Sequence, residues 1–162
     1  MATKHGDLDL LNTPLAQQLL RSSIPARLAY VWRDGTPRVV PVWFQWNGKE
    51  IVVGTPLKAP KNQTLRSGSK VAVTIDTEAA PYKALQIRGT VQVDTVEGLV
   101  PEYVTAAERY FGAEQGRAWI ERFRTLFPRM VRIAVKPEWA DILDFEQRFP
   151  SAVEAAMAGR SE

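Results

Sequence analysis

Two linked stretches decide the fold: Pro37-Arg-Val-Val-Pro-Val-Trp-Phe-Gln-Trp46 and, past a turn, Val52-Val-Gly-Thr-Pro-Leu-Lys-Ala-Pro-Lys-Asn-Gln-Thr-Leu-Arg66. The first is rich in β-branched and aromatic residues, and it is preceded by a similar run, Ala26 to Arg33, with Asp34-Gly35 between them. Asp-Gly flanked by apolar strands is a hairpin signal, because only residues tolerant of positive φ fit the tight turn. Asn47-Gly48 repeats the signal before Ile51 to Thr55, so the spacing predicts three antiparallel strands in succession. A doubly wound parallel sheet would need a helical crossover after nearly every strand, and these hairpins exclude it. Pro41 cannot donate a ladder hydrogen bond, which places it at a sheet edge or a bulge, with Trp43 two residues on.

Further along, Lys70-Val-Ala-Val-Thr-Ile-Asp76 reads as an apolar strand. Tyr82 to Val93 alternates Leu85, Ile87, Gly89, Val91 and Val93 with polar residues, the pattern of a long half-buried strand. The period then changes. Val100, Tyr103, Val104, Ala107 and Tyr110 mark one helix and Trp119, Ile120, Phe123 and Leu126 a second, with Gly112 and Gly116 between them. Met130 to Val135 and Trp139 to Phe145 return as strands around a turn at Lys136-Pro137, and a short helix starts near Ser151. At the other end Leu10, Leu11, Leu15, Leu19 and Leu20 recur at helical spacing and predict a short amphipathic helix, with Thr13 as N-cap and Pro14 in its first turn. The expected fold is mainly β with helices (α+β), a split barrel of six or more antiparallel strands, since closure removes exposed edges. Residues 1–11 read as a flexible N-terminal segment and residues 12–162 as a single domain.

Composition narrows the chemistry. The 162 residues are 45% hydrophobic and 24% charged, which suits one globular domain. There is no cysteine, so disulfides, thiolate metal sites and cysteine nucleophiles are out. The only histidine, His5, lies in a polar terminal stretch and reads as solvated; a histidine-based metal site, a Ser-His-Asp triad and an axial haem ligand all lack support. No apolar run approaches the ~20 residues of a membrane-spanning helix, and the start carries no export signal; the expected location is cytoplasmic. A net charge of +3 is too small for general nucleic-acid affinity. The basic residues do gather locally: Lys58, Lys61, Arg66 and Lys70 lie in a stretch, 58–70, without Asp or Glu.

A strand end running into a lysine-rich turn offers backbone N–H groups, the Thr55 hydroxyl and the Lys58 and Lys61 ammonium groups to a phosphate. On the other reading the lysines are a solvated face and Trp43, Phe44 and Trp46 are core or interface aromatics. Asp76, Tyr82 and Arg88 are polar candidates on the exposed strand face, with no assigned acid or base role.

The hairpin, the Val-Pro-Val-Trp-Phe strand, the Gly-Thr-Pro loop, the Lys-x-x-x-Leu-Arg turn, the Lys-Val-Ala-Val-Thr-Ile-Asp strand and the Leu85-Gln-Ile-Arg-Gly-Thr-Val91 strand, in that order, resemble the pyridoxamine 5'-phosphate oxidase-like, FMN-binding split barrels. The close, Pro137-Glu-Trp-Ala-Asp-Ile-Leu-Asp-Phe145, is similar to that of small relatives using FMN or the deazaflavin coenzyme F-420. The resemblance implies that backbone groups of Val40, Pro41, Val42 and Trp43 line the isoalloxazine ring. It also implies that Thr55, Lys58, Lys61 and Leu65 belong to the loop that holds the cofactor, and that a homodimer completes the site at its interface. Where the oxidases read Thr-x-x-x-Ser-Arg-Lys, Thr55 and Lys61 match, but Ala59 and Pro60 replace serine and arginine; this opens the way for a differently anchored deazaflavin. The ending Ala155-Ala-Met-Ala-Gly-Arg-Ser-Glu162 lacks the basic and histidine motif that holds pyridoxal phosphate, so vitamin B6 oxidation is not expected. The implied function is a flavin- or deazaflavin-dependent oxidoreductase acting on a small molecule, the ring system carrying out hydride transfer. The alternative is a protein that binds or stores a flavin, deazaflavin or haem without turnover.

Overall fold

A computed structural model describes residues 3–159. Seven strands form one antiparallel sheet: β1 (Ala26–Val31), β2 (Pro37–Val42), β3 (Gln45–Trp46), β4 (Ile51–Pro56), β5 (Lys70–Asp76), β6 (Lys83–Glu97) and β7 (Arg129–Asp144). The helices are α1 (Pro14–Leu20), α2 (Pro101–Phe111), α3 (Ala113–Leu126) and α4 (Ser151–Ala158). The strand order is β2-β1-β5-β6-β7-β4-β3, so the two edge strands are neighbours along the chain. Seven strands spaced ~4.8 Å apart would hold those edges about 29 Å apart if the sheet were flat. The three Cα steps from Val42 to Gln45 span at most ~11 Å. The sheet must therefore roll up into a barrel, split between β2 and β3.

The interior follows strand alternation. Leu28 and Tyr30 of β1, Val73 and Ile75 of β5, Leu85, Ile87 and Val91 of β6 and Ile133 and Val135 of β7 all face one core with Phe44, which is 1% exposed. Each such fully buried side chain contributes roughly 1.5–3 kcal/mol. A second core lies outside the barrel, where the α2–α3 hairpin covers β4 and β7: Val100, Tyr103, Ala107 and Ile120 pack on Val52, Met130 and Ala134. Gly116 does not separate the helices. It lies within α3 at the helix crossing, where a Cβ would stand 2.7 Å from Glu108 Cα.

Three further local expectations change. Lys136-Pro137 is not a turn: β7 runs through it, paired with β6 along its whole length, with the register shifting at Arg88/Gly89. Pro137 lies opposite Gly89, and a Cβ on Gly89 would stand 2.1 Å from the Lys136 carbonyl oxygen. The proline thus marks a bulge accommodated by a bare backbone rather than a reversal. The strand read from Pro37 to Trp46 breaks after Val42, because Phe44 packs into the barrel core and Trp43 against the second core.

The third change is at the N-terminal segment expected to be flexible, residues 1–11, which is packed in its described part. Leu10 and Leu11 are buried in a 3-10 turn spanning Leu8–Asn12, and the Gly6 N–H donates to the Ala140 carbonyl at 3.0 Å. His5 is not simply solvated: Nδ1 lies 2.7 Å from the Asp141 carboxylate and Nε2 lies 3.1 Å from Glu154. Its partners are remote in sequence, which is why the local polar context misled. Among the described residues no helix is long and apolar enough to cross a membrane.

Candidate cofactor site at the β2–β3 crossing

Where the chain leaves β2 to cross to β3, it opens a cavity of about 230 Å³ between the two cores. Pro41, Val42 and Trp43 form one wall, Val53 and Gly54 of β4 a second, and Tyr103 and Trp119 of the helical hairpin a third; Lys61 closes the fourth side. Gly54 lets the hairpin approach, since a Cβ there would stand 2.7 Å from Tyr103 Cβ.

The aromatic wall is tightly knit. Trp43 stacks on Tyr110 with ring centroids 5.1 Å apart and planes 8° from parallel, and meets Tyr103 at 5.8 Å. The Trp119 indole N–H donates to the Tyr103 hydroxyl at 2.9 Å. Burial pushes the Tyr103 phenol up, partly offset by that bond, and burial likewise raises Tyr110. Arg109 of α2 fixes the crossing itself: it donates to the Ser22 carbonyl at 2.8 Å, to the Phe44 carbonyl and to the Gln45 side chain.

The basic stretch resolves into residues with different roles. Lys70 pairs with Glu138 at 2.8 Å. Arg66 donates to the carbonyls of Asn62, Leu65 and Gln63, and Arg33 joins it on Gln63. These guanidinium groups close the single 3-10 turn spanning Pro60–Gln63, shorter than the helical turn expected over 61–66. Lys58 is exposed and is not among the residues that line the cavity. Lys61 differs from all of them: it is half-buried at the cavity, burial alone pushes its ammonium below the usual lysine range, and among the described residues no carboxylate faces it. Beside it, Asn62 donates to the Pro56 carbonyl at 2.8 Å, while its Oδ1 and the Thr64 hydroxyl are buried without a protein partner. A half-buried cation that, among the described residues, has no counter-charge is suited to an anionic group such as a phosphate.

Of the residues anticipated from sequence, the cavity brings together Pro41, Val42, Trp43 and Lys61. Val40 packs on the barrel core instead, Thr55 is 2% exposed on β4, and Leu65 is 2% exposed in the core. Asp76 pairs with Arg27 at 2.8 Å, Tyr82 packs on Phe145, and Arg88 covers the Trp139 ring at 4.0 Å; none of the three reaches this cavity. Sequence reasoning missed Tyr103, Trp119 and Gly54. Only Gly54 carried a local signal, as a glycine within an apolar strand.

A sequence model of the pyridoxamine 5'-phosphate oxidase family matches residues 13–144. Among solved structures, an F420 reductase is similar at 26% identity over 77% of this chain and 94% of its own, with a TM-score of 0.55. A conserved hypothetical protein from Mycobacterium tuberculosis is 20% identical over 92% of this chain and 96% of its own, TM-score 0.64. The haem storage protein HutZ from Vibrio cholerae is 18% identical over 81% and 92%, TM-score 0.56. No curated protein matches. With the split barrel in place and the family match spanning most of the chain, the protein belongs to the pyridoxamine 5'-phosphate oxidase family.

Proposed function

We infer that the protein is an oxidoreductase that uses FMN or the deazaflavin coenzyme F-420 on a small molecule, working as a homodimer with the cofactor at the subunit interface. The observation that carries this reading is Lys61, half-buried at an aromatic-walled cavity and, among the described residues, without a counter-charge. Lys61 would meet the cofactor phosphate, with exposed Lys58, three residues before it in the same loop, as a second cation. The likeness to an F420 reductase supports the deazaflavin branch, and Lys61, the position of the phosphate-loop pattern that the cavity retains, supports FMN.

The bound ring system supplies hydride transfer; the chain supplies binding, orientation and exclusion of water. A 230 Å³ cavity is smaller than the ~300–1,000 Å³ of typical ligand sites, so it accommodates only the phosphate-bearing part. The ring then lies along Pro41 to Trp43 on the outer side of edge strand β2. That surface is open, and the adjoining outer face of β1 and β2 exposes Val31 at 55% and Val39 at 63%. A second copy seated there would cover both the apolar face and the ring. A cytoplasmic location is part of the same proposal.

The second reading, binding or storage without turnover, draws on the cavity lining, which contains no carboxylate or imidazole to act as acid or base. Haem is its weaker branch, because both nitrogens of His5 already face carboxylates. The absorption spectrum of the purified protein, with mass analysis of what denaturation releases, tests the cofactor; oxidation of the reduced, loaded protein by a panel of acceptors separates turnover from storage. A protein that neither carries nor binds FMN or F-420 overturns the reading.

A further inference from the structure

A hollow of about 770 Å³, larger than the Lys61 cavity, neighbours it and shares Pro41 with it. It lies outside the barrel over the ends of β1, β2 and β5. Ile24, Pro25, Val39, Pro41 and Ala79 make it largely apolar. Its volume falls within the range of sites that enclose a whole small molecule. Because Pro41 belongs to both linings, a molecule held here would lie against a ring placed along β2, with no side-chain layer between them.

The charges in this hollow are unequal. Arg27 donates to Asp76 at 2.8 Å, so that cation and that anion offset each other. Thr77 is turned inward, accepting from the Lys83 N–H at 2.9 Å. Glu78 remains: it lines the hollow, it is exposed, and among the described residues no cation pairs with it. The lining therefore carries one net negative charge at the mouth of an apolar chamber. A carboxylate or phosphate entering it would meet repulsion, whereas an ammonium group would be attracted.

We propose that this hollow is the substrate pocket and that it selects apolar molecules bearing a protonated amine over acids of the same shape, with Glu78 meeting the amine. The proposal rests on the cofactor and homodimer reading above, in which a second copy seated on the outer face of β1 and β2 would roof this hollow beside Val39; its ligand preference is argued from this chain's own lining.

The test uses the cofactor-loaded protein and two probes of one shape, 2-naphthylmethylamine and 2-naphthoate, titrated by quenching of tryptophan fluorescence. Glu78 is solvent-exposed, so attraction for one probe and repulsion of the other together favour the amine by about fivefold at low salt. Glu78→Gln should bring the two affinities together, and Ala79→Trp, which projects an indole into the chamber, should weaken both while leaving the unfolding midpoint unchanged. The proposal is overturned if naphthoate binds as well as the amine, if Glu78→Gln leaves the ratio intact, or if Ala79→Trp binds both probes normally. The cofactor is titrated separately against Glu78→Gln, whose affinity for FMN or F-420 should match that of the unaltered protein. A chain that prefers the amine yet binds neither cofactor would sink the oxidoreductase reading and leave the pocket's preference standing.

Discussion

The Trp119 indole N–H and the Tyr103 hydroxyl meet at 2.9 Å across the α2–α3 hairpin, and both rings face the cavity that Trp43 and Lys61 complete. The bond holds the aromatic wall in one arrangement. In Tyr103→Phe the rings still pack, but the indole loses its acceptor in a half-buried setting. Stability should fall by about 1 kcal/mol, rising towards ~3 if no water reaches the N–H. Urea unfolding checks the loss, and a shift in Trp119 emission without change in far-ultraviolet dichroism locates it.

Gly54 is where β4 and α2 come closest. A methyl group placed there would lie 2.7 Å from Tyr103 Cβ and 3.1 Å from Val100 Cβ, closer than packed side chains tolerate. Gly54→Ala should push the hairpin outward at a cost of about 1–3 kcal/mol. Because Gly54 lines the cavity, the same change should weaken cofactor binding. Thermal unfolding and cofactor titration of the variant read the two effects separately, and unaltered values in both would show that the hairpin yields freely at this point.

What could be read from the sequence was local. Asp34-Gly35 and Asn47-Gly48 announce their hairpins because turn chemistry is decided by adjacent residues, and Pro41 signals an edge because one missing N–H suffices to do so. Lys61 could be found because it ends a strand-to-loop pattern. The aromatic wall was hidden: Trp43, Tyr103 and Trp119 come from three separate elements, and the helical spacing of Tyr103 and Trp119 reads equally well as ordinary core. Pro137 misled for a related reason. A proline before a polar residue looks like a turn until its neighbour across the sheet, Gly89, is known. His5 went furthest astray, because its partner Asp141 lies 136 residues away.

That pairing has a pH consequence. A neutral imidazole has one N–H, yet both His5 nitrogens face carboxylate oxygens, Asp141 at 2.7 Å and Glu154 at 3.1 Å, so only the imidazolium donates to both. Hydrogen bonds first to Asp141 and then to Glu154 raise the His5 pKa, against small opposing effects of burial and of Arg148. A raised folded-state value means the clasp contributes fully below the unfolded value of about 6.5 and is lost as pH rises through the folded one. His5→Gln should therefore be least stable relative to the unaltered protein near pH 6, with the gap narrowing under mildly alkaline conditions. Urea unfolding at a series of pH values checks the trend; a gap that widens with pH would reverse its sign.

The homodimer proposal places the second copy on the outer face of β1 and β2. Val31 is 55% exposed there, beside Pro37 and Ala72 around a shallow hollow of about 420 Å³. A carboxylate in such a patch would have to be desolvated on association. Val31→Asp should therefore leave the folded chain intact, because the position is exposed within the protomer, and shift it to monomer at micromolar concentration. Sedimentation velocity measures the change. If the site is shared between copies, the monomer also loses cofactor affinity; a monomer that binds at full stoichiometry would confine the site to one chain.

Lys61 carries the residue-level case for a phosphate-bearing cofactor. Its ammonium is held below the ordinary lysine range by burial, and among the described residues no acid relieves it, so an incoming phosphate supplies the missing counter-charge. Removing it in Lys61→Ala deletes a charge-assisted contact of about 1.5–3 kcal/mol, roughly ten- to a hundredfold in affinity. The fold should change little, since a half-buried unpaired cation costs rather than contributes stability. Lys49 is the control. It sits at the Asn47-Gly48 turn, exposed, and Lys49→Ala should leave affinity nearly untouched. A second signature follows from the depressed pKa: binding needs the ammonium, so affinity should decline as pH rises through a value lower than an ordinary lysine would show, and Lys61→Ala should remove that part of the pH dependence. Titration of the three proteins with FMN and with F-420 between neutral and alkaline pH decides the matter, and equal affinities for Lys61→Ala and Lys49→Ala would take the phosphate away from this cavity.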